Sequence, residues 1–299
     1  MNNIYVILGA SGNTGSIIAD ALLSKRKNVR VVGRDPKRLE RFVRKGAEAI
    51  VGDVSDEVAL TKAFAGAEAA YLMLPPIASR EDQERQSDAI ARAVAEAGLG
   101  YAVNLSSYGA QVQKGTGPVV GLHSSEQKLN AIVGLNVLHL RAAYFMANNL
   151  GAIGMIRGMG IVGNALLPDL KLPMIATADV GEYGAQRLLE LDFSGKQTRE
   201  LLGQRDLSMM DATAIIGRGI GKPDLHYEQL PYDQMQQGLE RVGMSPKKAA
   251  VYIEMFKAIN TGVLAAQEPR SRENTTPTSF EQFVQDVFVP AYHGEAVTA

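Results

Sequence analysis

A glycine-rich segment within the first fifteen residues has the residue types and spacing of a phosphate-binding loop. It reads Gly9-Ala10-Ser11-Gly12-Asn13-Thr14-Gly15 and lies between the apolar run Ile4–Leu8 and a segment with helical periodicity. Gly9 allows a tight turn, Gly12 lets backbone approach a pyrophosphate, and Gly15 lets a helix pack closely on a sheet. Backbone N–H groups at the helix start then meet the phosphate charge. The segment therefore predicts a dinucleotide site at Gly9, Ser11, Gly12, Asn13, Thr14 and Gly15.

The residues after the second predicted strand discriminate between two nicotinamide cofactors. Arg34 stands nineteen residues beyond Gly15, where an acidic residue would bind the adenosine ribose of NAD. The planar fork of an arginine instead suits a 2′-phosphate, and Lys37 and Arg38 add charge within one helical turn. We therefore expect NADP(H) to be preferred, with NAD(H) as the second choice. Two alternatives stay open: Asp35 could accept a hydrogen bond from the ribose, and Arg34 could be a solvated loop residue.

Four further residues are expected at the cofactor because ligands lie outside the carboxyl ends of parallel strands. Asp53 and Val54 follow the third predicted strand and could meet the adenine, although Asp53 could equally hold its own turn. Leu74 and Pro75, followed by Pro76, end the fourth strand and could lie along a ribose.

Hydroxyl groups end the fifth and follow the sixth predicted strand. Ser106 and Ser107 could reach a substrate carbonyl, or form a turn before Gly109. Tyr144 would line a flat, partly aromatic cleft, or belong to a core. None of the ten tyrosines has a lysine four residues later, so the Tyr-x-x-x-Lys proton donor of many dehydrogenases is absent. No cysteine occurs and the four histidines have no ligand spacing, so we predict no metal site.

Strands and helices alternate through the first half of the chain. Alternation of this kind predicts βαβ units and a doubly wound parallel sheet, an α/β fold of the Rossmann type. We expect residues 1–150 to form the NAD(P)-binding domain and residues 151–299 a smaller α/β lobe for a substrate or partner. Segments around residues 179–222 are expected to return to the first domain. In these segments, Asp179 is expected to cap one helix, and Ser208 with Asp211 has the spacing of a capping box.

Charge and hydropathy exclude several classes of partner. The formal charge is −1, although Lys25–Lys45 holds ten basic residues against two acidic ones. We find no DNA-binding motif and therefore predict no direct contact with nucleic acid. The longest stretch that resembles a membrane span, at 142–156, is uncharged but falls short of the roughly 20 apolar residues that a bilayer requires. With no secretory signal in the sequence, we expect a cytoplasmic protein without membrane contact.

Several segments resemble the NmrA-like branch of the atypical short-chain dehydrogenases/reductases. They are Gly9–Gly15, Val32–Arg34, Gly52-Asp53, Asn104–Ser107, Leu140–Met146, Pro173–Val180 and Phe280–Gly294. The resemblance covers nearly the whole chain and implies a Rossmann domain, a small C-terminal lobe and a substrate cleft between them. It implies one of two functions, since the family includes NADPH-dependent quinone and dye reductases as well as NADP-binding redox sensors that act through protein partners.

The same resemblance singles out His123. Many relatives place a lysine on the helix before the sixth strand, and counting back from Gly134 puts His123 at that position. His123 is therefore expected near the nicotinamide, as a proton donor or as a partner of the ribose; a helix-start histidine that only caps or packs is the alternative.

Taken together, the residues predict an NADPH-dependent reductase that passes hydride to a small conjugated acceptor such as a quinone or enone. Ser106, Ser107, His123 and Tyr144 are the candidate catalytic residues. The alternative is a cofactor-sensing regulator without turnover that acts through a protein partner. A homodimer is left open.

Overall fold

The chain divides into two compact units. The computed structural model describes residues 3–75 and 79–295. Unit 1 comprises Met1–Gln113, Val119–Arg141 and Val180–Arg199; unit 2 comprises Lys114–Pro118, Ala142–Asp179 and Glu200–Ala299. The division thus falls before residue 142 instead of at 150. Residues 180–199 return to unit 1, whereas residues 200–222 do not.

Twelve strands occur in the described ranges. They are β1 (Ile4–Leu8), β2 (Asn28–Gly33), β3 (Glu48–Val51), β4 (Ala67–Leu72), β5 (Tyr101–Ser107), β6 (Asn136–Ala142), β7 (Tyr144–Phe145), β8 (Ile161–Asn164), β9 (Leu172–Ile175), β10 (Lys196–Leu201), β11 (Asp206–Leu207) and β12 (His226–Gln229). Seven of them form one sheet in the order β10-β6-β5-β4-β1-β2-β3. Parallel pairs join β1 to β2 and β4, β2 to β3, and β4 to β5. This is the doubly wound order, so the predicted α/β class is confirmed.

The centre of this sheet explains why β1 is continuously apolar. Tyr5, Val6, Ile7 and Leu8 are all buried, because helices cover both faces of a parallel sheet. The strand order runs outward in opposite directions from β1 and β4. Such a switch point is where open α/β sheets bind ligands, beyond the carboxyl ends of the strands. The glycine-rich segment leaves β1 at this point.

Twelve α-helices, one 3₁₀ segment and one π-helical segment occur in the same described ranges. They are α1 (Asn13–Ser24), α2 (Pro36–Val43), α3 (Glu57–Phe64), α4 (Arg80–Ala97), α5 (Val119–Asn130), the 3₁₀ segment (Met146–Ala152), α6 (Ile153–Met159), α7 (Thr177–Glu190), α8 (Met209–Gly219), α9 (Tyr232–Arg241), α10 (Pro246–Asn260), α11 (Phe280–Phe283), the π segment (Val284–Phe288) and α12 (Val289–His293). Short polar side chains cap many of them. Asp35 caps the N-terminus of α2, and Ser79 and Ser208 form full capping boxes with Asp82 and Asp211. The expected box at Ser208 is therefore confirmed.

Two helix starts differ from expectation. α5 begins at Val119, so His123 is its fifth residue and does not cap the helix start. α7 begins at Thr177, so Asp179 lies inside its first turn. The carboxylate of Asp179 accepts hydrogen bonds from the backbone N–H and the hydroxyl of Thr278 instead of capping the helix.

Unit 2 contains two small sheets. β7 runs parallel to β9, which pairs antiparallel with β11, and β8 pairs in parallel with β12. Asn260 at the end of α10 joins several parts of the unit. Its side chain accepts from the N–H of Leu167 and donates to the carbonyl of Ala165 and the hydroxyl of Tyr232. Asn260 therefore ties α10 to α9 and to the segment 165–167.

Candidate cofactor and reaction site

The glycine loop has the geometry that the sequence predicts. Gly9 has a φ of +63°, in the left-handed region where a side chain is strained. The N–H of Gly12 donates to the carbonyl of Gly9 at 2.9 Å and closes the turn. A Cβ on Gly15 would lie 2.5 Å from the Gly9 carbonyl oxygen. The first and third glycines therefore serve the turn and the close approach of α1 to the loop.

The N-terminus of α1 is open to an anion. Gly12 precedes the helix and offers no side chain as a cap, and the first turn has no acidic residue. The N–H groups of Asn13, Thr14 and Gly15 have no carbonyl partner within the helix, so they suit a phosphate. The Thr14 side chain is buried and bonds the Tyr71 hydroxyl at 2.7 Å, so only its backbone fits the expected role.

Positive side chains lie beside this loop at the end of β2. The Arg34 side chain is 77% exposed, with Nε 3.9 Å from Oδ2 of Asp53. Lys37 is also exposed. Asp35, the alternative ribose partner, accepts from the N–H of Lys37 and thereby caps α2.

The sequence did not predict that Arg38 contacts the glycine loop. Its Nη2 donates to the carbonyl of Ser11 at 3.0 Å, which ties α2 to the glycine loop. The sequence carries no signal for this contact, because Arg38 lies in α2 and Ser11 in the glycine loop, and only their packing brings them together.

The other expected cofactor residues lie at the ends of β3 and β4. Asp53 holds its own turn, since Oδ1 accepts from the N–H and the hydroxyl of Ser55 at 3.0 and 2.7 Å. Val54 and Leu74 are buried, and Pro75 is half-buried. Pro76 lies outside the described residues.

The imidazole of His123 is held by a backbone group. Its Nδ1 lies 2.7 Å from the carbonyl oxygen of Ala110. Because a carbonyl can only accept, Nδ1 carries the proton and Nε2 is the atom left for a ligand. Ala110 follows the turn after β5, where its N–H donates to the carbonyl of Ser107. His123 and Ser107 are thus joined through one short loop.

Ser106 does not have the role we expected. It is 3% exposed, and its hydroxyl donates to Oε1 of Glu126 at 2.6 Å. Strand alternation turns Ser106 inward, so it belongs to a buried network instead of a substrate surface. Ser107 remains half-buried, with its hydroxyl directed to the carbonyl of Tyr108 at 3.0 Å.

Glu126 forms a buried ion pair that the sequence did not reveal. Arg141 donates through Nε to Oε1 at 3.0 Å and through Nη2 to Oε2 at 2.6 Å. Burial by itself would raise the pKa of Glu126, but the hydrogen bonds from Arg141 and Ser106 and the nearby positive charge outweigh it and lower the pKa. Glu126 is therefore a fixed anion and a poor proton donor.

Tyr144 lies in unit 2 and is poorly suited to donating a proton. Burial raises its pKa to about 12, although a hydrogen bond with Asn148 acts in the opposite direction. A phenol with a raised pKa gives up its proton less readily near neutral pH. The alternative we left open, a core residue of the second lobe, describes Tyr144 better.

Two classes of site are absent from the described ranges. Residues 3–75 and 79–295 contain no group of three or more His, Cys, Asp or Glu side chains that could hold a metal ion. None of the helices within them is long and apolar enough to cross a membrane.

His139 accepts from Asn104 at Nδ1 and donates to Asn130 at Nε2, so it is a satisfied core residue.

Comparison with known proteins gives the family. The profile of the NmrA-like family matches residues 1–283, so the chain belongs to that family and the expected resemblance is confirmed. The chain is 26% identical over 273 residues to the (4-alkanoyl-5-oxo-2,5-dihydrofuran-3-yl)methyl phosphate reductase of Streptomyces griseus subsp. griseus. That alignment covers 91% of this chain and 93% of the relative.

Two solved structures share the fold. The NADPH-dependent quinone oxidoreductase QOR2 of Escherichia coli, in complex with NADPH, has a TM-score of 0.80 at 21% identity. The triphenylmethane reductase of Citrobacter sp., in complex with NADP(H), also has a TM-score of 0.80, at 17% identity. Each similarity covers 95% of this chain and 99% of the other.

Proposed function

We propose that this protein is an NADPH-dependent oxidoreductase that transfers hydride to a small conjugated acceptor. The observation that carries the proposal is the open N-terminus of α1, which follows a tight glycine turn at the switch point of the sheet. Arg34 and Arg38 stand beside it with positive charge. This combination fits a pyrophosphate together with a further phosphate.

The glycine positions support a bound dinucleotide. A Cβ on Gly12 would lie 3.2 Å from the Gly9 carbonyl oxygen, so the lack of side chains keeps the loop compact and its surface accessible. We assign the pyrophosphate to the backbone of Gly12, Asn13, Thr14 and Gly15. We assign the 2′-phosphate to Arg34, with Lys37 adding charge. NAD(H) would use the same loop but leave Arg34 without its partner.

His123 is the catalytic residue that we place beside the acceptor. NADPH, when bound, supplies hydride to one carbon of the conjugated system, and a proton must then reach the acceptor. Nδ1 of His123 is committed to the Ala110 carbonyl, so a protonated ring donates from Nε2. The hydroxyl of Ser107, at the end of β5, is our candidate for orienting the acceptor.

The nature of the acceptor is suggested by the Streptomyces relative. The substrate in its name contains a 5-oxo-2,5-dihydrofuran, a ring whose double bond is conjugated with a carbonyl. Addition of hydride and a proton across such a bond needs correct placement and one acid, which suits a site without a Tyr-x-x-x-Lys pair. We therefore favour enones, with quinones as the related class.

The proposal extends to setting and partners. It places the chain among the atypical short-chain dehydrogenases/reductases, in the cytoplasm, with a small molecule as its partner. It includes no nucleic acid and no membrane. Homodimer formation is not required by any residue assigned above.

Loss of NADPH absorbance on mixing with enones, quinones and aldehydes tests the proposal. We expect His123→Ala to lower kcat by about 10²–10⁴-fold, as for loss of a general acid. His226→Ala, at an exposed histidine of β12, is the matched control and should leave kcat unchanged. NADPH binding without oxidation by any acceptor would contradict the proposal and favour the cofactor sensor.

A further inference from the structure

Two buried polar layers connect α5 to β5 and β6. One layer consists of Ser106, Glu126 and Arg141, and we call it the upper layer. The lower layer consists of Asn104, Asn130 and His139. Each strand residue of the lower layer stands two positions before its upper counterpart, and Asn130 stands four positions after Glu126. The upper layer is therefore nearer the carboxyl ends of both strands, the edge at which parallel sheets bind ligands.

The upper layer is charged and rigid. Glu126 is 1% exposed, with both carboxylate oxygens engaged by Arg141 and one by Ser106. An arginine fork on a carboxylate fixes orientation as well as distance. This part of α5 is therefore held to both β5 and β6 through Glu126.

The upper layer also extends to the loop that holds His123. Nη1 of Arg141 lies 3.3 Å from Oε1 of Gln111, and Gln111 directly follows Ala110. The carbonyl of Ala110 receives Nδ1–H of His123, which stands three residues before Glu126 on α5. Arg141 thus contacts both segments that form the hydrogen bond between His123 and Ala110. It contacts the helix of His123 through Glu126 and the loop of Ala110 through Gln111.

The lower layer joins the same three elements but is neutral. Burial lowers the pKa of His139 to about 4, so the ring is uncharged at neutral pH. It bonds Asn104 and Asn130 at 3.0 Å each. Substitutions in the lower layer therefore serve as controls. They perturb the same helix and strands, but one helical turn further from His123.

We infer that Arg141, acting through Glu126 and Gln111, is a positioning residue that fixes the tautomer and direction of the His123 imidazole. The expected effect of Arg141 on catalysis rests on the function proposed above. Its effect on the His123 tautomer does not rest on that function, because the tautomer can be observed without any acceptor.

Nuclear magnetic resonance of the full chain with ¹⁵N-labelled histidine tests the network directly. Four histidines give a spectrum simple enough to assign by substitution. We expect the native chain to show one His123 tautomer with a slowly exchanging Nδ1–H. Arg141→Lys keeps the charge but loses the fork, and we expect His123 to show averaged tautomers. The control, Asn130→Ala, should change the signals of His139 and leave those of His123 as they were.

The native His123 tautomer persisting in Arg141→Lys would overturn the inference. If Arg141→Lys does not fold, Ser106→Ala and its lower-layer control Asn104→Ala decide by the same measurement. Each removes one side-chain hydrogen bond from β5, to Glu126 and to His139 respectively.

Kinetics separate this inference from the proposed function. We expect Arg141→Lys to lower kcat by about ten- to a hundredfold, as for a misplaced catalytic group. Its KM for NADPH should equal that of the control variant Asn130→Ala. If His123→Ala loses activity but Arg141→Lys does not, the positioning role is wrong and the function stands. If the native chain shows no turnover, the proposed reductase function is contradicted. The positioning role of Arg141 is then tested by the His123 tautomer in the magnetic resonance measurement alone.

Discussion

Among single residues, Arg34 carries the prediction on cofactor choice. Its guanidinium is exposed, and its Nε lies 3.9 Å from Oδ2 of Asp53, so a phosphate can approach it from solvent. We expect Arg34→Ala to weaken NADPH binding by about 1–3 kcal/mol, the value of a charge-assisted contact, and NADH binding much less. Arg44→Ala is the control, since Arg44 follows the opposite end of α2. Calorimetric titration with both cofactors measures the difference, and equal losses would exclude Arg34 as the phosphate contact.

His139 makes stability depend on pH. Burial lowers its pKa from 6.5 to about 4, so between these values the unfolded chain binds a proton that the folded chain does not. Stability is therefore complete above pH 6.5 and falls as pH decreases toward 4. We expect this residue to cost about 2 kcal/mol between pH 7.5 and pH 5.

Urea unfolding at both pH values measures this effect in the native chain and in His139→Gln, whose amide does not titrate. The variant should lose less stability than the native chain over this interval. Identical losses would show that His139 is not the group responsible. His226→Gln, at an exposed histidine, controls for a general effect of removing an imidazole.

The sequence predicted residues with local roles better than residues with distant partners. Gly9 and Gly15 were predictable because the turn and the helix contact involve neighbouring segments. Ser106 was misplaced because its partner Glu126 stands twenty residues away on α5. No periodicity connects such residues; only the packing of α5 on the sheet brings them together.

At the level of elements, the contact of α1 with the glycine loop depends on the missing side chain of Gly15. A Cβ there would lie 2.5 Å from a backbone oxygen of Gly9, which cannot move as a flexible side chain would. We expect Gly15→Ala to destabilise the protein by about 1–3 kcal/mol and to weaken NADPH binding. Gly238→Ala, within α9 and with open space around it, should instead stabilise by about 0.5–1 kcal/mol. Urea denaturation measures both, and unchanged stability in Gly15→Ala would contradict the close contact.

Element types were predictable, whereas some boundaries were not. Short, continuous apolar runs identified the strands of the main sheet, because parallel strands that are buried on both faces are hydrophobic along their whole length. α5 begins four residues before His123, directly after Pro118, whose side chain has no atom that can accept a hydrogen bond. α7 begins two residues before Asp179, whose carboxylate bonds Thr278, ninety-nine residues later in the chain. The local sequence therefore predicts that a helix forms, but the hydrogen-bond partners of its first-turn side chains depend on residues far away in the chain.

For the whole molecule, the arrangement of the chain is less simple than a division into two halves. Unit 1 is completed by Val180–Arg199, which the chain supplies only after entering unit 2. Within unit 1, α7 lies close to α1, since a Cβ on Gly181 would be 2.8 Å from Cβ of Ile17. β10 covers the outer edge of β6 in the main sheet. A dinucleotide-binding unit therefore needs both of these returning elements.

This dependence predicts how shortened chains behave. A chain of residues 1–150 lacks α7 and β10, which exposes apolar surface of α1 and the edge of β6, so we expect it to aggregate and bind no NADPH. Joining residues 1–142 to residues 177–201, which contain α7 and all of β10, through a Gly/Ser linker of about fifteen residues should restore a soluble chain that binds NADPH. Size-exclusion chromatography, thermal unfolding and calorimetric titration compare the two chains with the full protein. Cooperative unfolding and full NADPH affinity in residues 1–150 alone would show that the returning segment is dispensable, because the sheet would then be stable with β6 as its edge strand.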